Sequence, residues 1–110
     1  MNTTNVLPRT IVTRVVGVSY EGRQKIVSEL KRGETVFLVR DPDNAYDRNA
    51  IRVILGDERQ VGFVNRDLAA KLAPILDQCE GVLRATVAAL TGGYDPSSFR
   101  GALVRFTLPE

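Results

Sequence analysis

The chain has 110 residues, 44% of them hydrophobic and 25% charged, with a formal net charge of +2. That length makes a single domain with a core of its own, since domains typically run about 100–200 residues. There is no His and one Cys, which excludes His-dependent nucleophilic or metal chemistry, an internal disulfide and a structural zinc site. No apolar run reaches the roughly 18–20 residues that a membrane span needs. The opening MNTTNVLP lacks the charged-then-apolar layout of a secretion signal, so the chain reads as cytoplasmic, without a membrane partner. Neither a P-loop string nor a GxGxxG string occurs, and no cofactor is expected. Of the 15 cations 12 are Arg, whose planar guanidinium pairs bidentately with phosphate and stacks on bases. A plain compositional preference for Arg explains the same count. Composition leaves the partner open.

Residues 1–10 are expected to be a flexible N-terminal segment and 11–110 the folded domain. Residues 11–20 (IVTRVVGVSY) are rich in β-branched side chains and predict a strand that ends at Glu21-Gly22. Arg23 to Arg32 carries Ile26, Val27 and Leu30 at helical spacing, with a basic last turn before Gly33. A second strand, Thr35 to Arg40, halts at Asp41-Pro42-Asp43-Asn44, which suits a type I turn. Ala50 to Leu55 and Arg59 to Val64 predict a hairpin turning at Gly56-Asp57.

Asn65 can cap a helix from Arg66 to about Gln78, whose buried stripe is Leu68, Leu72, Ile75 and Leu76. Pro74 inside that pattern is expected to kink or split it, and Cys79 reads as a core residue. Two long strands finish the chain, Gly81 to Leu90 and Phe99 to Leu108, around a polar, mobile loop from Thr91 to Ser98. The order lacks the regular alternation of a parallel α/β fold. It predicts a mainly β protein: a six-stranded, OB-like β-barrel flanked by two α-helices.

Residues 40–53, RDPDNAYDRNAIRV, gather Asp41, Asp43, Asn44, Tyr46, Asp47 and Asn49 into one turn and a strand start. An EF-hand is rejected, because its fifth, sixth and twelfth positions would be Ala45, Tyr46 and Arg52. A two-metal nuclease built on Asp41, Asp43 and Asp47 lacks the neighbouring Lys or Glu expected to activate a nucleophile. Two readings remain. In one, the segment is a well-capped turn whose carboxylates bond backbone amides. In the other it is a pocket, with Tyr46 stacking on a base, Asn44 bonding the base edge and Asp47 accepting from a hydroxyl. A carboxylate repels phosphate, so it suits a chain terminus that presents a hydroxyl.

The strings VVGVSY at 15–20, RDPDNAYDRNAIRV at 40–53 and VGFVNRDLA at 61–69 together resemble the HIRAN domain, in matching order and spacing. The resemblance implies a six-stranded barrel with flanking helices and no catalytic activity of its own. It also implies capture of the 3′-hydroxyl end of single-stranded DNA, in DNA repair or replication restart, with a helicase or nuclease as possible protein partner. Carried over by position, Tyr20 and Tyr46 would stack on terminal bases, Asn44 would read a base edge and Asp47 would engage the terminal hydroxyl. Arg66 would contact a phosphate, Phe63 would form the neighbouring wall and Phe99 a second stacking face. Arg66 has an argument of its own: a cation in a first helical turn opposes the macrodipole unless an anion joins it. Asp67 beside it is the alternative neutraliser.

Three departures bear on affinity. Ser19 and Glu21 stand where DNA-end binders carry an Arg and a further aromatic, and Phe63 replaces a polar side chain. Two rival functions stay in view: a protein-interaction or regulatory β-barrel module, and single-strand binding indifferent to ends.

Overall fold

The computed structural model describes residues 7–93 and 98–109. Its strands are β1 (Thr10–Val16), β2 (Thr35–Arg40), β3 (Ile51–Ile54), β4 (Gln60–Val64), β5 (Val82–Gly92) and β6 (Arg100–Thr107). The helices are α1 (Arg23–Glu29), between β1 and β2, and α2 (Arg66–Asp77), between β4 and β5. All strand pairs are antiparallel and close into a barrel in the order β1-β4-β3-β2-β5-β6, with β1 and β4 meeting over only two residue pairs. The predicted six-stranded barrel with two helices is what forms.

Alternation decides which side chains fill it. Val36 and Leu38 of β2, Ile51 and Val53 of β3, and Ala102, Val104 and Phe106 of β6 all point inward and are buried. Val27 and Leu30 beside α1, and Ala69, Leu72 and Leu76 of α2, join the same buried cluster as the strand residues. Both helices therefore share one core with the strands.

Element limits differ from expectation where backbone or packing outweighs local pattern. The first strand stops at Val16 rather than residue 20, because Gly17 takes φ 71 and turns the chain. Tyr20 then lies in that turn, its amide donating to the Gly17 carbonyl at 3.4 Å. The first helix ends at Glu29 rather than Arg32: Leu30 adopts an extended backbone and enters the core. At the β3–β4 hairpin the turn falls at Gly56-Asp57 as expected, and Glu58 after it is left-handed at φ 73.

The second helix runs unbroken to Asp77 in spite of Pro74. Pro74 and Ala70, whose carbonyl loses its usual donor, both lie on the exposed side, where water can replace that bond. Cys79 is half-buried, in the turn after α2, and is not a core residue. The fifth strand extends to Gly92, opposite Arg100, so Thr91 and Gly92 belong to the sheet rather than to a loop. Residues 94–97 of the expected mobile loop, and 1–6 of the expected flexible segment, lie outside the described residues. Leu7 packs against the core, and Thr10 already pairs with Thr107.

Candidate functional site

The 41–50 connection between β2 and β3 is built from side chains bonding backbone. Asn44 is its organiser: its Oδ1 accepts from the amides of Tyr46 (2.9 Å) and Asp47 (3.1 Å). Its Nδ2 donates to Asp41 Oδ2 at 3.0 Å. Asp47 Oδ1 accepts from the Asn49 amide at 2.9 Å. The capped-turn reading is thus correct for Asn44, whose carbonyl oxygen is fully engaged in shaping the loop.

The same bonds leave the Tyr46 side chain and Asp47 Oδ2 without a hydrogen bond among the described residues. Tyr46 is held outward with 90% of its surface exposed, far more than an aromatic residue of a settled fold ordinarily shows. Asp47 keeps its Oδ2, which faces Arg66 Nε at 3.8 Å. Asp47 is 19% exposed and Arg66 79%, so the carboxylate sits at the bottom and the guanidinium at the rim. Arg66 opens α2 beside Asn65, whose Oδ1 accepts from the Leu68 amide at 3.0 Å and whose Nδ2 reaches Thr13 of β1 at 3.2 Å. The predicted cap is present. Asp47, and not Asp67, is the carboxylate facing Arg66 among the described residues.

These groups border a cleft of about 310 Å³ lined by Val16, Asn44, Tyr46, Asp47, Ala50, Phe63, Val64 and Arg66. Five of the seven predicted site residues meet there. Tyr20 and Phe99 do not line it, though each is 67% exposed. The turn bearing Tyr20 starts directly after Val16, a cleft residue, and Phe99 is brought to that turn by Gln24. Gln24 Nε2 donates to the carbonyls of Val18 (2.9 Å) and Arg100 (2.8 Å), and its Oε1 accepts from the Arg100 amide (2.8 Å). Gln24 of α1 thus ties the turn that bears Tyr20 to Arg100, the residue after Phe99.

Two arginines that local pattern did not single out position the site. Arg23 is buried, with its guanidinium 5.2 Å from the centre of the Phe63 ring, 2.9 Å from the Gly17 carbonyl and 3.0 Å from Glu21. It therefore fixes Phe63 in the cleft wall and the turn before Tyr20, and it gives Glu21 a structural role. Arg40 donates to Asp77 Oδ1 (2.9 Å) and to the carbonyls of Arg48 (3.0 Å) and Ala50 (3.1 Å). It ties the 41–50 loop to the end of α2. Replacing Arg40 by Gln should cost about 1–3 kcal/mol of stability, as expected for charge-assisted bonds. It should also weaken ligand binding at the cleft although Arg40 does not line it. Thermal melting and binding measured on the same sample would test this, and unaltered binding would show the loop to be self-supporting.

Comparison with known proteins bears on the whole arrangement. The family model described as HIRAN domain matches residues 8–95. The chain belongs to the HIRAN domain family. It is 41% identical over 73 residues to human "Helicase-like transcription factor", covering 63% of this chain and 7% of that protein. It is 35% identical over 77 residues to the Arabidopsis thaliana "Fanconi-associated nuclease 1 homolog", covering 70% of this chain and 8% of that one. The match thus spans less than a tenth of these curated relatives, and their nuclease and helicase-like names belong to the whole proteins.

Among solved structures, the HIRAN domain of human HLTF superposes with a TM-score of 0.62 at 29% identity, over 90% of this chain and 76% of that one. A protein from Lactobacillus plantarum superposes with a TM-score of 0.63 at 25% identity, over 89% of this chain and 98% of that one. HIRAN domains are DNA-binding modules found in helicase-like and nuclease proteins, and this HIRAN domain is of that class.

Proposed function

We propose that this HIRAN domain captures the 3′-hydroxyl end of single-stranded DNA in the cleft between the 41–50 loop, β4 and the start of α2, serving DNA repair or replication restart. The observation that carries the reading is the pairing of a recessed carboxylate oxygen with an outward aromatic ring. Asp47 Oδ2 has room for a hydroxyl donor, and Tyr46 offers a ring face to the base above it. A phosphate in the position of that hydroxyl would meet Asp47 as a like charge. One phosphate further back, Arg66 and the free amides of the first turn of α2 suit an anion. Tyr20 and Phe99, on the adjoining flank, would offer further ring faces to the terminal bases. Catalysis by the domain itself is not part of this reading, and a helicase or nuclease acting on the captured end would be the partner.

Fluorescence anisotropy with short oligonucleotides tests it. A 3′-hydroxyl strand is expected to bind at least tenfold more tightly than the same strand bearing a 3′-phosphate. Asp47→Asn should shrink that preference by removing the like charge. Equal affinity for both ends would reject Asp47 as the hydroxyl sensor. Competition by circular single strands as effective as by linear ones would reject end recognition altogether.

A further inference from the structure

The charges on the barrel wall are one-sided. The six strands carry Arg14, Arg40, Arg52, Arg84, Arg100 and Arg105, and not one Asp, Glu or Lys. Every acidic residue of the described structure lies in a helix, a turn or a loop. Arg40 is spent on Asp77. Arg14, Arg84 and Arg105 are exposed, and among the described residues none of the three forms an ion pair.

Register places these three in a diagonal. Val12, Arg14 and Val16 alternate outward along β1, so Arg14 stands one outward step from Val16, which lines the cleft. Arg14 pairs with Leu103, two residues before Arg105 on β6. Arg105 pairs with Thr86, two residues after Arg84 on β5. Diagonal neighbours of this kind stand about 7–8 Å apart, within reach of long side chains. Each step moves one strand across and one outward position further from the cleft. Between the last two arginines lies a groove of about 360 Å³ lined by Arg84, Thr86, Arg105 and Thr107, which adds hydroxyl donors. Beyond it, the Arg84 guanidinium lies 6.0 Å from the centre of the Phe37 ring.

We infer that Arg14, Arg105 and Arg84 form a phosphate-binding track that carries the strand away from the cleft over the outer face of β1, β6 and β5. The inference rests on the proposed capture of a strand end in the cleft. Like charges in a row with no counter-charge repel one another, and a polyanion laid along them relieves that repulsion. The spacing suits successive phosphates of an extended strand, and a guanidinium can bond each one bidentately.

The test measures anisotropy of 3′-hydroxyl oligonucleotides of increasing length against salt, for the natural protein and for R14Q/R84Q/R105Q. Each lost phosphate contact should lower the log–log salt slope by about 0.7, so the triple variant should lose about 2. For the natural protein, affinity should rise with length until the track is spanned; in the variant it should level off at two or three nucleotides. The preference for a 3′-hydroxyl over a 3′-phosphate dinucleotide should stay. R14K/R84K/R105K should keep most of the slope, and R14Q/R105Q, which leaves the Arg84–Phe37 contact intact, should lose about two-thirds of the effect. An unchanged slope and length dependence in a folded triple variant, with end preference retained, overturns the track and leaves end capture standing. Loss of slope in the variant together with equal binding of both kinds of end keeps the track and removes end capture. No oligonucleotide binding by the natural protein at low salt overturns both.

Discussion

Tyr46→Ala is expected to abolish most single-strand binding while leaving the fold intact. Stacking of a base on an aromatic ring contributes about 1–3 kcal/mol, so affinity should fall roughly fivefold to 150-fold. The ring is 90% exposed and has no packing role to lose. The melting temperature should therefore move little, because exposed substitutions away from caps and networks usually change stability by about 0.5 kcal/mol or less. Tyr46→Phe should bind nearly as well as the natural protein, since the face of the ring is what acts. Anisotropy and melting on the same preparations separate the two quantities. Undiminished binding by Tyr46→Ala would move the site elsewhere on the surface.

A large effect on stability is expected at Gly62. A Cβ built there would run into the carbonyl oxygen of Val16 and come within 2.7 Å of Val15 Cγ1. The chain is tight at this point, where β1 runs beside β4 near the cleft, and the obstruction is backbone rather than a flexible tip. Gly62→Ala should destabilise by about 1–3 kcal/mol or more, as overpacking does. For a domain of this size that is roughly 4–12 °C in Tm. It should also displace Val16 and Phe63, so binding should weaken with stability. A variant that melts like the natural protein would mean that β1 can slide away at little cost.

The barrel was legible because its strands announce themselves twice, by β-branched composition and by alternation. Val36 and Leu38 or Val104 and Phe106 could hardly face anywhere but inward. The limits of α1 were not legible. Lys31-Arg32-Gly33 gives a good local stop signal, yet the core takes Leu30 out of the helix first. Cys79 shows the same limit from the other side, since helical spacing continued on paper past the point where the backbone turns.

For the site, the density of Asp, Asn and Tyr between residues 41 and 49 was informative because a turn needs fewer. The structure divides that density into scaffold and working groups, which composition alone could not do: Asn44 holds the loop, while Tyr46 and Asp47 Oδ2 are left over. The positions of Tyr20 and Phe99 depend on Gln24, whose bonded partner Arg100 lies 76 residues away. Arg40 and Asp77 are 37 apart. Neither separation leaves any local periodicity to read.

The sharing of one core by the strands with Val27 and Leu30 from the first helical segment and Leu72 and Leu76 from the second has a consequence for how such a module can diversify. With its inward strand positions filled by buried apolar side chains, the domain meets other molecules through its outer face. New specificities are then obtainable by exchanging outward side chains, with the interior left untouched and folding preserved.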